Sequence, residues 1–286
     1  MSAVSQSGFH EGELAVQARA GVMAQAARLG KGMLAPPDLN GSIGTFLSVR
    51  EFAVVTATGD DGRLWTSPLH ARAGFLEAHD RTLRIAVRPD PGDPLHGLDA
   101  GQPIGMLAID FATRRRVRVN GTISDGTADG LTVDVDQAFG NCPRYIQPRD
   151  LSPAQPSAPP HGFIRSDTLQ PSHAALITRA DTFFLGTEHP TRGVDASHRG
   201  GPAGFVRLDG NRLWWPDYPG NNMFNSLGNI AVDPAAAVLF IDFTTGATVA
   251  VSGTAAVVWP DDDHDEDGTD RGVTFTAEAI VSGTLR

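Results

Sequence analysis

The chain has 286 residues, 41% apolar and 20% charged, with a net charge of −10. That composition suits a globular protein of one large domain or two. Its acidity argues against nucleic acid or an anionic membrane as the main partner, while leaving room for a local basic pocket.

Cys142 is the only cysteine, so no internal disulfide and no cysteine-based metal site can form. The N-terminus lacks a basic stretch followed by an apolar one, and no apolar run reaches the length of a membrane span. We expect a soluble, cytoplasmic protein.

In chain order, residues 11–29 are rich in Ala, Glu, Gln and Arg, with Leu14, Ala18, Val22 and Ala26 recurring every four positions. This spacing predicts one amphipathic helix within a leader of residues 1–40. From Phe46 the period changes. FAVVTATGDDGRLWTSPL reads as two strands around a Gly-Asp-Asp-Gly turn, and LRIAVRP, IGMLAIDF and RRVRVNGTISD read as further strands. Residues 94–98 allow a turn or two of helix. Residues 133–146 read as a strand end followed by a helix that stops near Pro148. The proline-rich stretch 148–162 predicts a stiff linker or covering strap. The pattern resumes with ALITRADTFFLGT. The acidic tract 260–270 reads as a solvated loop before a last strand, VTFTAEAIVSG. It lacks the ordered glycine and terminal glutamate of an EF-hand, and no metal is expected.

The two halves resemble each other. Ala73-Gly74-Phe75-Leu76 is answered by Ala203-Gly204-Phe205-Val206, and Leu83 by Leu213. Ile109-Asp110-Phe111 is answered by Ile241-Asp242-Phe243, and Gly121-Thr122 by Gly253-Thr254. Order and spacing are kept across most of each half. The anchors predict a mainly β chain built from two tandem copies, residues 41–147 and 163–286, each with about six short strands at barrel-like spacing.

No nucleophile elbow, Walker loop, zincin motif or dinucleotide fingerprint is present. Cys142, in GNCPRYIQ, has no histidine nearby in sequence and reads as a half-buried thiol. Two stretches of the second half carry more chemistry. In VDASHRGGPAG, Ser197, His198 and Arg199 precede glycines that let a ligand or another backbone come close; a strand end with a bulge gives the same pattern. In WWPDYPGNNMFNSLGNIAVDP, Asp217, Tyr218, Pro219 and Gly220 supply turn chemistry, and Asn221 or Asn222 would cap the helix MFNSLGNIA. Taken alone that segment is a capped helix with an apolar face of Met223, Phe224, Leu227 and Ile230. Taken together, the Arg199 fork, a helix N-terminus and Asn and Ser donors make a cradle suited to a phosphomonoester on an aromatic ring system. Trp214, Trp215 and Tyr218 would wall that ring or belong to the core.

These residues resemble the FMN-binding split-barrel proteins related to pyridoxamine 5′-phosphate oxidase, most closely their flavin-nucleotide-binding branch. FHEGELAVQARAG and QAFGNCPRYIQPR are similar to segments of that branch. The resemblance covers about residues 10–30 and 45–286 and is strongest from Val194 to Thr254. It implies a six-stranded split barrel in each half, with FMN in a groove between two barrels. By the same resemblance Ser197, Arg199, Asn222 and Asn225 would contact phosphate or ribityl, and Asp217, Tyr218 and Gly220 would line the isoalloxazine. Where the family usually has a helix lysine, this chain has Asn225 or Asn222. The first half carries RPDPGDPLHGLDAG in place of the Asn-rich stretch, so one flavin site, formed mainly by the second half, is expected.

The second barrel at the groove would come from a homodimer partner or from the other half of the same chain, with Arg114, Arg115, Arg116 or the 141–144 segment reaching the flavin. The implied function is an FMN-dependent oxidoreductase acting on an unidentified small molecule, with His198 as the acid–base candidate. A second reading is a non-catalytic flavin carrier or sensor. A third replaces FMN by a deazaflavin, or by haem on His198 or His70.

Overall fold

The period-two stretches between Phe52 and Thr284 pair into two antiparallel sheets in the computed structural model, which describes residues 8–34, 37–149, 151, 162–259 and 271–285. In the first half, β1 (Phe52–Thr58), β2 (Leu64–His70), β3 (Leu76–His79), β4 (Thr82–Ile85), β5 (Pro103–Asp110), β6 (Arg115–Thr127) and β7 (Gly130–Gly140) lie in the order β2-β1-β5-β6-β7-β4-β3. After β8 (Ile164–Ser166), the second half supplies β9 (Thr182–His189), β10 (Gly193–Gly200), β11 (Arg207–Asp209), β12 (Arg212–Pro216), β13 (Ala235–Ile241), β14 (Ala247–Val258) and β15 (Gly272–Thr284). These lie in the order β10-β9-β13-β14-β15-β12-β11, with β8 added beside β15. Strand for strand the two orders are the same.

Each path holds seven strands where the sequence suggested six. The extra one in the first half is β3, four residues (LEAH) with no β-branched side chain to announce it.

The matched glycines show why the sequence anchors fall where they do. The β6–β7 ladder slips one residue between Asn120 and Gly121, and the β14–β15 ladder slips between Ser252 and Gly253. A Cβ on Gly121 would lie 2.1 Å from Asp134 O, and one on Gly253 would lie 2.0 Å from Thr276 O. Both bulges press the backbones too close for any side chain, so both halves keep glycine there.

The halves pack through β1, β2, β5 and β6 against β9, β10, β13 and β14. Close approach is again bought with glycine: a Cβ on Gly186 of β9 would lie 2.4 Å from Thr56 Cγ2, and one on Gly105 of β5 would lie 2.8 Å from Ala196 N. Phe52 and Phe184 meet at 5.8 Å between ring centres, so one buried apolar cluster takes in residues of both halves. This continuity fixes the second half's sheet beside the first, and the groove described below lies along their seam.

The leader folds as two helices rather than one, α1 (Glu11–Arg19) and α2 (Met23–Met33), because the chain turns at Gly21 with φ 69°. His10 Nδ1 accepts from Gly12 N–H at 3.2 Å and Glu13 Oε2 accepts from His10 N–H at 2.9 Å, a reciprocal cap on α1. Two further short helices, α3 (Ser42–Ser48) and α4 (Pro171–Ile177), were not foreseen. The helix expected before Pro148 is absent. Gly140 ends β7, and residues 141–149 run without regular structure between Pro143 and Pro148, with Tyr145 left-handed at φ 64°. Most of the expected linker and the acidic tract 260–270 lie outside the described residues. Among the described residues no helix is long and apolar enough to cross a membrane.

Candidate functional site

A groove of about 800 Å³, counted to its open mouth, runs along the seam and is lined from both halves. The first half contributes Arg116 and Arg118 from β6, which lie two apart on one face of the strand, and Asn141, Cys142, Arg144 and Tyr145 from the segment after β7. The second half contributes His198, Arg199 and Gly200 from β10. It also contributes Pro216 at the end of β12, residues 217, 218, 220–222 and 224 of the following loop, and the start of α5 (Asn225–Val232).

Both carboxylates at the site are already engaged. Asp217 accepts from Arg199 Nη1 at 2.9 Å and from Arg271 Nε at 2.7 Å. Asp195, behind the groove, accepts from Arg118 Nη1 at 2.8 Å and from Ser226 Oγ at 3.0 Å. Among the described residues Arg116 has only an imidazole: its Nη1 donates to His198 Nδ1 at 2.6 Å. Burial, together with Arg118 and Arg199 nearby, lowers Arg116 to about 9, so it stays charged at neutral pH. His198 is 4% exposed. Burial first, and then Arg116, hold it well below the usual histidine range. Since an arginine cannot accept a hydrogen bond, His198 must keep its single proton on Nε2.

The result is an excess of donors. Nε of Arg116, Arg118 and Arg199 and Nε2 of His198 are buried and have no partner among the described residues. A buried donor left unpaired costs about 1–3 kcal/mol, and four such donors stand against one unpartnered acceptor of the groove, Asn141 Oδ1, so the groove favours a guest that brings acceptors. α5 adds to the demand. Its N-cap is Phe224, left-handed at φ 60°, and no side chain caps the first turn. The open N–H groups and positive end of the helix dipole therefore belong to the groove wall formed by residues 224–227.

At the other side Tyr145 and Tyr218 stack with ring centres 5.1 Å apart and planes 22° apart. Gly200 and Gly201 permit this. A Cβ on Gly200 would lie 2.0 Å from Tyr145 O, and one on Gly201 would lie 2.9 Å from Tyr218 Cε2. The glycines after Arg199 thus admit another backbone, the 141–147 segment of the first half, which Gln147 ties down by donating to Gly201 O at 3.2 Å.

Of the residues singled out in sequence, Arg199, Asp217, Tyr218, Gly220, Asn222, Asn225 and His198 line the groove. Ser197 does not. It is fully buried, its Oγ donates to Leu185 O at 3.2 Å, and it lies beneath Ser226, which takes the lining position. Asp217 lines the groove as the shared counter-ion of two arginines. Neither Asn221 nor Asn222 caps α5, which begins only at Asn225: Asn221 Oδ1 accepts from Met223 N at 3.1 Å, and the amides of Asn222 and Asn225 donate to Gln25 and Glu13. Trp215 is core, 5.0 Å from Phe183, and Trp214 packs against Arg207. Arg118 and Tyr145 were missed; of the three arginines 114–116, only Arg116 lines the groove.

Among the described residues the groove has no equal on the matched opposite side. There Thr248 and Ala250 stand in the places of Arg116 and Arg118, and Leu69 in that of Arg199. Phe163 fills the space: a Cβ on Gly92 would lie 3.0 Å from its ring and one on Gly283 would lie 2.9 Å from it. Gly92 and Gly283 are the counterparts of Asn222 and Asn141. Divergence of the two copies thus leaves a polar groove on one side and a packed phenylalanine on the other.

Residues 169–283 match the family model described as Pyridoxamine 5′-phosphate oxidase. The second half of the chain is therefore similar to the pyridoxamine 5′-phosphate oxidase family. No curated protein matches the chain. Among solved structures it is similar to a protein related to general stress protein 26, of the pyridoxinephosphate oxidase family, from Clostridium acetobutylicum (15% identity, 40% of this chain and 88% of that one, TM-score 0.30). It is also similar to an FAD-binding protein from Mesorhizobium loti (11% identity, 44% and 100%, TM-score 0.32). A third is the heme storage protein from Vibrio cholerae (12% identity, 41% and 96%, TM-score 0.31).

Proposed function

We propose that the groove holds one FMN per chain and that the protein is a flavin-dependent oxidoreductase acting on a small molecule. The phosphate would lie among Arg116, Arg199 and the N-terminus of α5, with the ring system toward Tyr145 and Tyr218. The observation that carries this is the set of four buried, unpartnered N–H donors beside an uncapped helix N-terminus. An arginine whose only partner among the described residues is a neutral imidazole calls for an anion, and a phosphomonoester offers acceptors to this set. Both halves line the groove, so a single chain supplies both walls.

A bound flavin would supply the redox chemistry. The residues of the chain bind and orient it. His198, neutral with its proton fixed on Nε2, serves as a hydrogen-bond donor to the ligand and does not exchange a proton near neutral pH. That tautomer also leaves no Nε2 lone pair for a haem iron, which favours a flavin or deazaflavin over haem. A non-catalytic flavin carrier is the second reading, favoured by one observation: both carboxylates at the site are held in ion pairs and its histidine is neutral.

Freshly purified protein is expected to show a flavin absorbance spectrum and to release a compound of the mass of FMN on denaturation. A colourless protein that takes up no FMN on incubation would contradict the proposal, and a Soret band would replace flavin by haem. Turnover with small oxidisable and reducible substrates separates enzyme from carrier.

A further inference from the structure

The asparagines of the groove loop are held from behind by the leader helices. Asn225 Nδ2 donates to Glu13 Oε1. Asn222 Nδ2 donates to Gln25 Oε1 at 2.8 Å, and Gln17 Nε2 donates to Met223 O at 3.1 Å. α1 comes this close to α5 because two glycines meet: a Cβ on Gly12 would lie 2.1 Å from Gly228 O, and one on Gly228 would lie 2.6 Å from Glu13 N. Across these three attachments the loop carries two left-handed non-glycine residues, Asn222 and Phe224, each at φ 60°. Such backbone is unfavourable, most of all at a bulky residue such as Phe224, and persists only where the surroundings over-determine it.

We propose that Glu13, Gln17 and Gln25 are positioning residues of the groove: the leader holds residues 222–225 in the strained conformation that presents Asn225, Ser226 and the start of α5 to the ligand. The ligand part of this rests on the reading of the groove as an FMN site. The attachment itself does not.

Glu13 makes the clamp sensitive to pH. Around it stand His10 and Glu11 of its own segment, His189 at the end of β9, Arg192 in the following turn, and Asp195 of β10. His10, its ring 4.3 Å from that of His189, is lowered to about 4 by burial and is neutral. Both imidazoles accept at Nδ1, from Gly12 N and Thr191 N, so their protons lie on Nε2 and they do not combine with Glu11 as metal ligands. Burial raises Glu13 to about 7, outweighing the hydrogen bonds from His10 N and Asn225 and the charge of Arg192, which favour the carboxylate. A carboxyl raised in this way stabilises docking fully below its ordinary range, and that contribution is lost as pH rises through about 7.

The test uses the full chain in two measurements. In hydrogen exchange without ligand, Glu13→Ala and the exposed-site variant Gln25→Ala are expected to speed amide exchange at 222–227 by about tenfold or more. Amides of β14 should be unchanged, which shows that the fold is intact. In FMN titrations the same variants are expected to bind about threefold to tenfold more weakly, as for loss of one hydrogen bond between neutral groups. Glutamine keeps one accepting oxygen of the two and does not ionise, so the affinity of Glu13→Gln relative to wild type should rise between pH 6 and pH 8; comparing the two proteins at each pH cancels the ionisation of the phosphate itself. Unchanged exchange in both variants, or faster exchange with unchanged FMN affinity, would overturn the proposal. If wild type binds no FMN, the functional reading fails while the exchange result still decides whether the leader clamps the loop.

Discussion

Arg116→Ala is expected to weaken FMN binding by about tenfold to a hundredfold while leaving the fold as stable as before or more so. The affinity loss follows from removing a charged donor to the phosphate, worth about 1.5–3 kcal/mol for a hydrogen bond to a charged group. The stability follows from the neighbours. Arg116 is buried beside Arg118 and Arg199, both of which push its pKa down, and its hydrogen-bond partner is a neutral imidazole. Removing it relieves like-charge repulsion and a desolvated cation, the usual cost of a site kept for function. Opposite signs for affinity and stability are what distinguish a ligand-binding arginine from a structural one. Flavin fluorescence titration and thermal melts of ligand-free protein measure the two. His198 gives a third readout. Losing Arg116 removes the second cause of its depressed pKa, so its NMR titration should move up toward the ordinary range while burial keeps it low.

Asp217→Ala should do the reverse, destabilising the ligand-free protein by about 3–5 kcal/mol, because it leaves Arg199 and Arg271 buried without their shared counter-ion. Arg271 also lies over the ring of Phe224, 4.6 Å from its centre, so the damage reaches the strained start of α5. Inorganic phosphate or FMN, by replacing the missing negative charge, should restore part of the lost stability, in proportion to the logarithm of ligand concentration. Urea denaturation with and without phosphate checks both statements. If Asp217 served only to line the isoalloxazine, as the resemblance implied, the ligand-free protein would melt unchanged.

How much of this could be read from the sequence depends on the range of the contacts. The tandem anchors were legible because the same local geometry recurs twice: Gly121 and Gly253 sit at the same bulge, where only glycine fits. Arg199 and the glycines after it were legible as a site, but not what the glycines admit, since Tyr145 arrives from the other half. Arg118 had a signal that went unused. In RRVRVN, Arg116, Arg118 and Asn120 alternate on one face of β6, and that face borders the seam. The partners of the asparagines were not legible. Gln25 and Glu13 lie some two hundred residues earlier, and nothing local in NNMFNS distinguishes an amide facing a phosphate from one facing a leader helix. Propensity also misplaced the helix start, since Phe224 in a left-handed N-cap is set by tertiary contacts rather than by its own preference.

The most direct test of the central claim, that this single groove is a phosphate site for one flavin, is to titrate the same protein with FMN and with riboflavin. The two ligands share the ring system and differ only in the phosphate. The donor set of Arg116, Arg199, His198 and the α5 N-terminus predicts one FMN per chain, with riboflavin bound about a hundredfold more weakly. Equal affinities for the two, or two equivalent FMN sites per chain, would contradict it.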